Sequence, residues 1–110
     1  MSAFKIMWLI VMFDLPTTSK KDRKRYRWLF NYLDKEGYIR LQYSVYGKVF
    51  NSLQSANYGK KRLKDFLKIN IKKGNVRMFL MTDAQFGKME IVVGEQSSQE
   101  EIVQQLLFDF

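Results

Sequence analysis

A chain of 110 residues is long enough for one compact domain with its own hydrophobic core. The absence of Cys and His excludes disulfides, thiolate nucleophiles, zinc knuckles and imidazole acid–base chemistry. The simplest remaining catalytic plan is a carboxylate with a hard cation held by oxygen ligands. Nineteen Lys and Arg against eleven Asp and Glu, net +8, predict a polyanionic partner.

Residues 6–13 (Ile-Met-Trp-Leu-Ile-Val-Met-Phe) are continuously apolar and rich in strand formers, the pattern of a central strand covered on both faces. The run stops at Asp14, and Pro16 forbids further pairing. It is too short to span a bilayer, and Asp14-Leu15-Pro16 offers no small-residue cleavage site, so no membrane association is expected and the protein is placed in the cytoplasm. Ser19 with Asp22 three residues later starts a helix over residues 20–36. Tyr26, Leu29, Phe30 and Leu33 form its buried stripe, Gly37 is its stop, and its outer face is basic.

Ile39, Leu41, Tyr43 and Val45 alternate with Arg40, Gln42, Ser44 and Tyr46, predicting a strand with one face on the core that Gly47 bends or divides. A second basic helix is expected over residues 56–68, and Gly74 opens a strand over 76–81 with Val76, Met78 and Leu80 on one face. A short helical turn at 83–88 and a last body strand at 90–93 follow. With a break at Gly47 the order is the βαββαβ of a ferredoxin-like fold, an α/β (α+β) sandwich with two helices on one face of an antiparallel sheet.

The other face would carry Gln42, Ser44, Tyr46, Arg77, Phe79 and Met81, too apolar to be left in water, and a second copy in a two-fold homodimer is the economical cover. Body and tail differ sharply in charge. Residues 1–88 hold all nineteen basic groups against six acidic ones, net +13, and the remainder holds five acidic groups and no basic one. The domain is therefore drawn at 1–95 and an acidic tail at 96–110, whose Leu106-Leu107-Phe108-Asp109-Phe110 reads as an apolar strand able to add to a partner's sheet edge.

Asp14 ends a buried strand, where functional residues of α/β sheets gather, and its carboxylate is the ligand type that Mg²⁺ takes. An Asx turn or helix cap is the plainer reading. One carboxylate is a poor Mg²⁺ site, so the metal depends on two Asp14 side chains meeting across a dimer axis.

Lys20, Lys21, Arg23, Lys24, Arg25 and Arg27 crowd the first helix, and Lys60, Lys61, Arg62, Lys64 and Lys68 the second, with Lys72 and Lys73 beyond it. A solvated face is the bland alternative, but only Asp22 and Asp65 offset the run, so binding to a phosphate backbone is favoured. Tyr43, Tyr46, Phe50 and Phe79 could stack bases, yet the RNA-recognition signature is missing and they rank as core or interface.

Leu9-Ile10-Val11-Met12-Phe13-Asp14-Leu15-Pro16, Leu41-Gln42-Tyr43-Ser44-Val45-Tyr46, and residues 76–94 with Thr82, Gln85, Phe86 and Met89 before Ile91-Val92-Val93-Gly94 together resemble the CRISPR-associated Cas2 family. The stretch from Gln85-Phe86 to Met89 looks most like members from type II systems. The resemblance implies a ferredoxin-like homodimer in which paired Asp14 carboxylates share Mg²⁺. It also implies basic helices with Arg23 and Arg25 near a DNA duplex and Ser44 and Tyr46 lining a dimer cleft, to which the sheet-face pattern adds Gln42, Arg77 and Phe79.

Family members are described as metal-dependent endonucleases on RNA or double-stranded DNA and as the bridge between dimers of the integrase Cas1 in spacer acquisition. In the family the C-terminal region adds a strand across the dimer and helps dock that integrase. Many members carry Tyr where this chain has Phe13, so a hydroxyl beside the Asp is absent. Two readings follow: a DNA-binding scaffold for the integrase, or a free-standing metal-dependent endoribonuclease, toxin-like in one variant.

Overall fold

The computed structural model describes residues 6–108. Its elements in order are β1 (Met7–Asp14), α1 (Lys20–Lys35), β2 (Ile39–Gln42), β3 (Val45–Phe50), α2 (Leu53–Asn70), β4 (Asn75–Thr82), α3 (Asp83–Gly87) and α4 (Ser98–Phe108). The four strands form one sheet in the order β2-β3-β1-β4, with every neighbouring pair antiparallel. This is the ferredoxin-like arrangement.

Strand β1 is central because it can bury both faces. Leu9, Val11 and Phe13 point to α1 and α2 and pack with Leu29, Leu33, Tyr38, Tyr46 and Leu63. Trp8 and Ile10 point the other way, into a second cluster with Phe86, Ile39, Leu41, Val45, Val49, Met81 and Val103. Leu29, Leu33 and Leu63 are completely enclosed, each stabilising the fold by about 1.5–3 kcal/mol through burial. Helix α1 begins with the expected capping box, in which the Asp22 N–H donates to Ser19 Oγ at 3.0 Å and the Ser19 N–H to Asp22 Oδ2 at 3.2 Å.

The chain divides at Tyr43–Ser44, not at Gly47. Gly47 lies inside β3 opposite Ile10, where an added Cβ would come within 3.1–3.2 Å of Trp8, Ile10 and Leu41. Close packing, and no bend, explains the glycine. A register shift between Arg40 and Gln42 accompanies this change, and apart from Gln42 the β2 and β3 residues face the side opposite to that expected, because β3 pairs with β1 through Val11–Tyr46 and Met12–Val45. Ile39, Leu41 and Val45 join the Trp8 cluster, and Tyr46 turns into the core under the helices.

Two expected strands are absent from the described residues. Residues 90–93 follow α3 as an exposed segment without secondary structure. The Trp8–Phe86 stack holds α3 on the sheet face, and residues 90–93 pair with no described strand. The C-terminal segment, expected as a strand at 106–110, is helical as far as Phe108, and its last two residues lie outside the described range. Ser97 caps this helix, its hydroxyl accepting from the Glu100 N–H at 3.2 Å, and Gln99 Oε1 accepts from the Arg40 N–H of β2 at 3.1 Å. No described helix is long and apolar enough to cross a membrane.

Candidate nucleic-acid interface

The antiparallel register brings one set of features to one end of the sheet. Asp14 ends β1 opposite Asn75, the first residue of β4. The turn from β2 to β3 lies at the same end, because the Phe13 N–H donates to the Ser44 carbonyl at 3.0 Å. Helix α1 starts there and α2 finishes there.

Asp14 is exposed and shares the face of Met12 and Ile10, away from α1 and α2. Arg77 stands on the same face and donates from Nε to Asn75 Oδ1 at 3.1 Å, so amide and guanidinium form a polar floor beside the carboxylate. Gly74 holds the turn into β4 at φ +97°, and a Cβ there would sit 2.7 Å from the Asp14 carbonyl oxygen. The backbone carrying Asp14 therefore depends on a glycine at 74.

No cluster of three potential metal-ligating side chains exists among the described residues. One exposed carboxylate beside an arginine does not make a Mg²⁺ site within a single chain, and the donor set fits the ion only if a second Asp14 is brought opposite.

The expected dimer cleft is only partly assembled. Gln42, Arg77 and Phe79 lie on the face opposite the helices, Phe79 at 42% exposure and neighbouring Met12 at 36%. Ser44 sits in the turn. Tyr46 does not belong to this face. It is 4% exposed, packed between Phe13 (ring centroids 5.7 Å) and Phe30 (6.0 Å), with its hydroxyl buried and unpartnered among the described residues. Trp8 and Ile10, on the half of the face distant from Asp14, are already covered by Phe86 and Val103 of the same chain. The apolar surface left open is thus smaller than the sequence suggests.

The basic residues separate into engaged and unengaged groups. Arg23 donates from Nη1 to the Thr17 and Thr18 carbonyls, at 3.3 and 3.0 Å, pinning the loop after Asp14. Arg25 pairs with Asp22 at 3.4 Å, Lys61 with Asp65 at 3.3 Å, and Arg62 with Glu36 through Nε at 3.0 Å and Nη2. Lys20, Lys21, Lys24, Arg27, Lys60 and Lys64 make no ion pair with any described residue. Lys24 Nζ lies 5.2 Å over the ring of Trp28, which is 41% exposed on the outer side of α1.

Hydrogen bonds from the Ser19 side chain and backbone hold the Asp22 carboxyl below the usual carboxylate range, and the Lys73 charge adds to the effect. The lysines at 68, 72 and 73 join the same end of the molecule, although charge counting alone did not distinguish them from their neighbours. Asn75 carries no sequence signal of its own.

The family described as CRISPR associated protein Cas2 matches residues 7–89. The protein named CRISPR-associated endoribonuclease Cas2 in Campylobacter jejuni is 42% identical over 90 residues, which are 82% of this chain and 61% of that one. This chain therefore spans under two thirds of the Campylobacter relative. The protein of the same name in Ligilactobacillus salivarius is 37% identical over 89 residues, 81% of this chain and 85% of that one. A solved crystal structure of Cas2 has a TM-score of 0.56 at 21% identity, covering 84% of this chain and 92% of that one, a likeness of fold. The strand order and a family match running from the first residue of β1 past the end of α3 agree, and the chain belongs to the CRISPR-associated Cas2 family.

Proposed function

We propose that this chain serves CRISPR spacer acquisition as a homodimer that binds double-stranded DNA and bridges dimers of the integrase Cas1. The observation that carries this reading is the gathering of unpaired lysines from α1 and α2 at the Asp14 end of the sheet. Such a surface neutralises phosphates and carries no base-reading geometry, as suits a protein that holds fragments of any sequence. Met12 and Phe79, exposed beside Asp14, are the apolar surface that a second copy covers.

A second reading is metal-dependent endonuclease activity on RNA or DNA. It is supported by the exposure of Asp14 and by the name endoribonuclease carried by the relatives. Paired Asp14 carboxylates would hold Mg²⁺, which supplies charge stabilisation at a phosphodiester and a more acidic bound water. Arg77, fixed through Asn75, positions a phosphate oxygen near the carboxylates.

The discriminating variant is Asp14→Asn. Duplex binding, measured by fluorescence anisotropy, and spacer acquisition in cells are expected to persist, while Mg²⁺-dependent RNA cleavage is lost. Failure of acquisition with a folded, dimeric Asp14→Asn protein would overturn the scaffold reading.

A further inference from the structure

We propose that the groove between the C-terminal half of α2 and strand β4 is the track for a nucleic-acid backbone, and that lysines inside it, more than the basic total of the helices, set the affinity. This rests on the duplex-binding reading and selects the residues that perform it.

The groove is open, about 500 Å³ in volume, and ringed by Lys60, Lys64, Lys68, Lys72 and Lys73 with no acidic residue in its lining. None of these lysines makes an ion pair with a described residue, whereas Lys61 and Arg62, their neighbours on other faces of α2, are neutralised by Asp65 and Glu36. Along α2 the lysines without an ion pair thus line one concave surface, and the paired Lys61 and Arg62 lie outside it.

Their spacing identifies the ligand. Lys60, Lys64 and Lys68 succeed one another every four residues along α2, about 6 Å of helix axis each. That is the separation of successive phosphates along an extended strand. Lysine is a compact point charge suited to phosphate, and the groove contains no arginine fork for a carboxylate. The floor is aliphatic, formed by Leu67, Ile71, Val76 and Met78, and without aromatic rings it takes sugar edges and stacks no bases.

Lys72 Nζ donates to the Lys68 carbonyl at 2.6 Å and helps end α2, so it is structural as well as lining. At its far end the groove reaches Gly74, which abuts the backbone of Asp14 and Leu15. The groove ends on the helix side of the sheet, with the Asp14 side chain on the opposite face.

The test compares two variants of equal charge, Lys64→Gln/Lys68→Gln/Lys73→Gln and the control Lys35→Gln/Lys61→Gln/Lys88→Gln, in anisotropy titrations with a blunt 30-base-pair duplex. All six sites are exposed, and Gln keeps much of each side-chain stem. The groove variant is expected to bind about ten-fold more weakly or worse, with the slope of log K against log salt reduced by about three, and the control by less than about two-fold. Equal losses in both variants, or wild-type binding by the groove variant, would overturn the groove while leaving duplex binding intact. Absence of wild-type duplex binding at low salt would sink the underlying reading as well.

Lysine acetylation of the wild-type protein gives a second readout. Duplex is expected to protect residues 64, 68 and 73 and to leave 35 and 61 reactive. Protection by polyglutamate and none by duplex would assign the groove to an acidic peptide instead.

Discussion

The indole of Trp8 and the ring of Phe86 stack with centroids 3.9 Å apart and planes within 9° of parallel. The indole N–H donates to Asp83 Oδ1 at 2.8 Å, so α3 is fastened to the sheet by a ring and a hydrogen bond together. Phe86→Ala should cost about 3–5 kcal/mol, read from urea denaturation midpoints. A loss below about 1 kcal/mol would show that α3 contributes little to the fold.

The Tyr46 hydroxyl is buried without a partner among the described residues, and burial pushes its ionisation upward. Tyr46→Phe removes that group and keeps the ring contacts with Phe13 and Phe30, so it should stabilise the protein by about 1 kcal/mol and leave the oligomeric state unchanged. A shift of the dimerisation constant measured by analytical ultracentrifugation would return Tyr46 to the subunit cleft.

Gly74→Ala places a Cβ against the Asp14 carbonyl in a left-handed backbone. The backbone conformation alone should cost about 1–2 kcal/mol. Cleavage should fall further than thermal stability explains, because the strand end that carries Asp14 must shift. Activity equal to wild type at a temperature where both proteins are folded would show that Asp14 needs no such support.

Acid sensitivity should come from Asp22 and Glu36. Ser19 lowers the Asp22 pKa, and Arg62, followed by Tyr32, lowers that of Glu36. A carboxyl depressed in the folded state contributes stability above its unfolded pKa and loses it as pH falls through the folded value. Urea midpoints should therefore drop on acidification through and below the usual carboxylate range. Asp22→Asn/Glu36→Gln should flatten that limb, and an unchanged slope would place the acid-labile groups elsewhere.

Much of this was legible in the sequence. The apolar run of β1, its end at Asp14, the Ser19–Asp22 box, α2, β4 and α3 are local patterns, and they appear within a few residues of expectation. The side on which Tyr46 lies was not. Alternation says which residues of a strand share a face, and Ile39, Leu41 and Val45 do share one, but it does not say which face of the sheet that is when β1 is apolar on both sides. The engaged arginines were hidden for a similar reason, since Arg62 meets Glu36 across 26 residues of chain. Residues 90–93 have strand-like composition, but a strand also requires a neighbouring edge, which composition does not report.

The two tryptophans sit in opposite surroundings, Trp8 at 1% exposure beneath Phe86 and Trp28 open on the basic helix under Lys24. Nature has in effect installed two unlabelled optical probes. Emission that acrylamide cannot reach belongs to Trp8 and gauges whether α3 remains docked, and the quenchable fraction belongs to Trp28 and watches the outer surface of α1. A single titration followed in both fractions can therefore separate loss of fold from occupation of the surface.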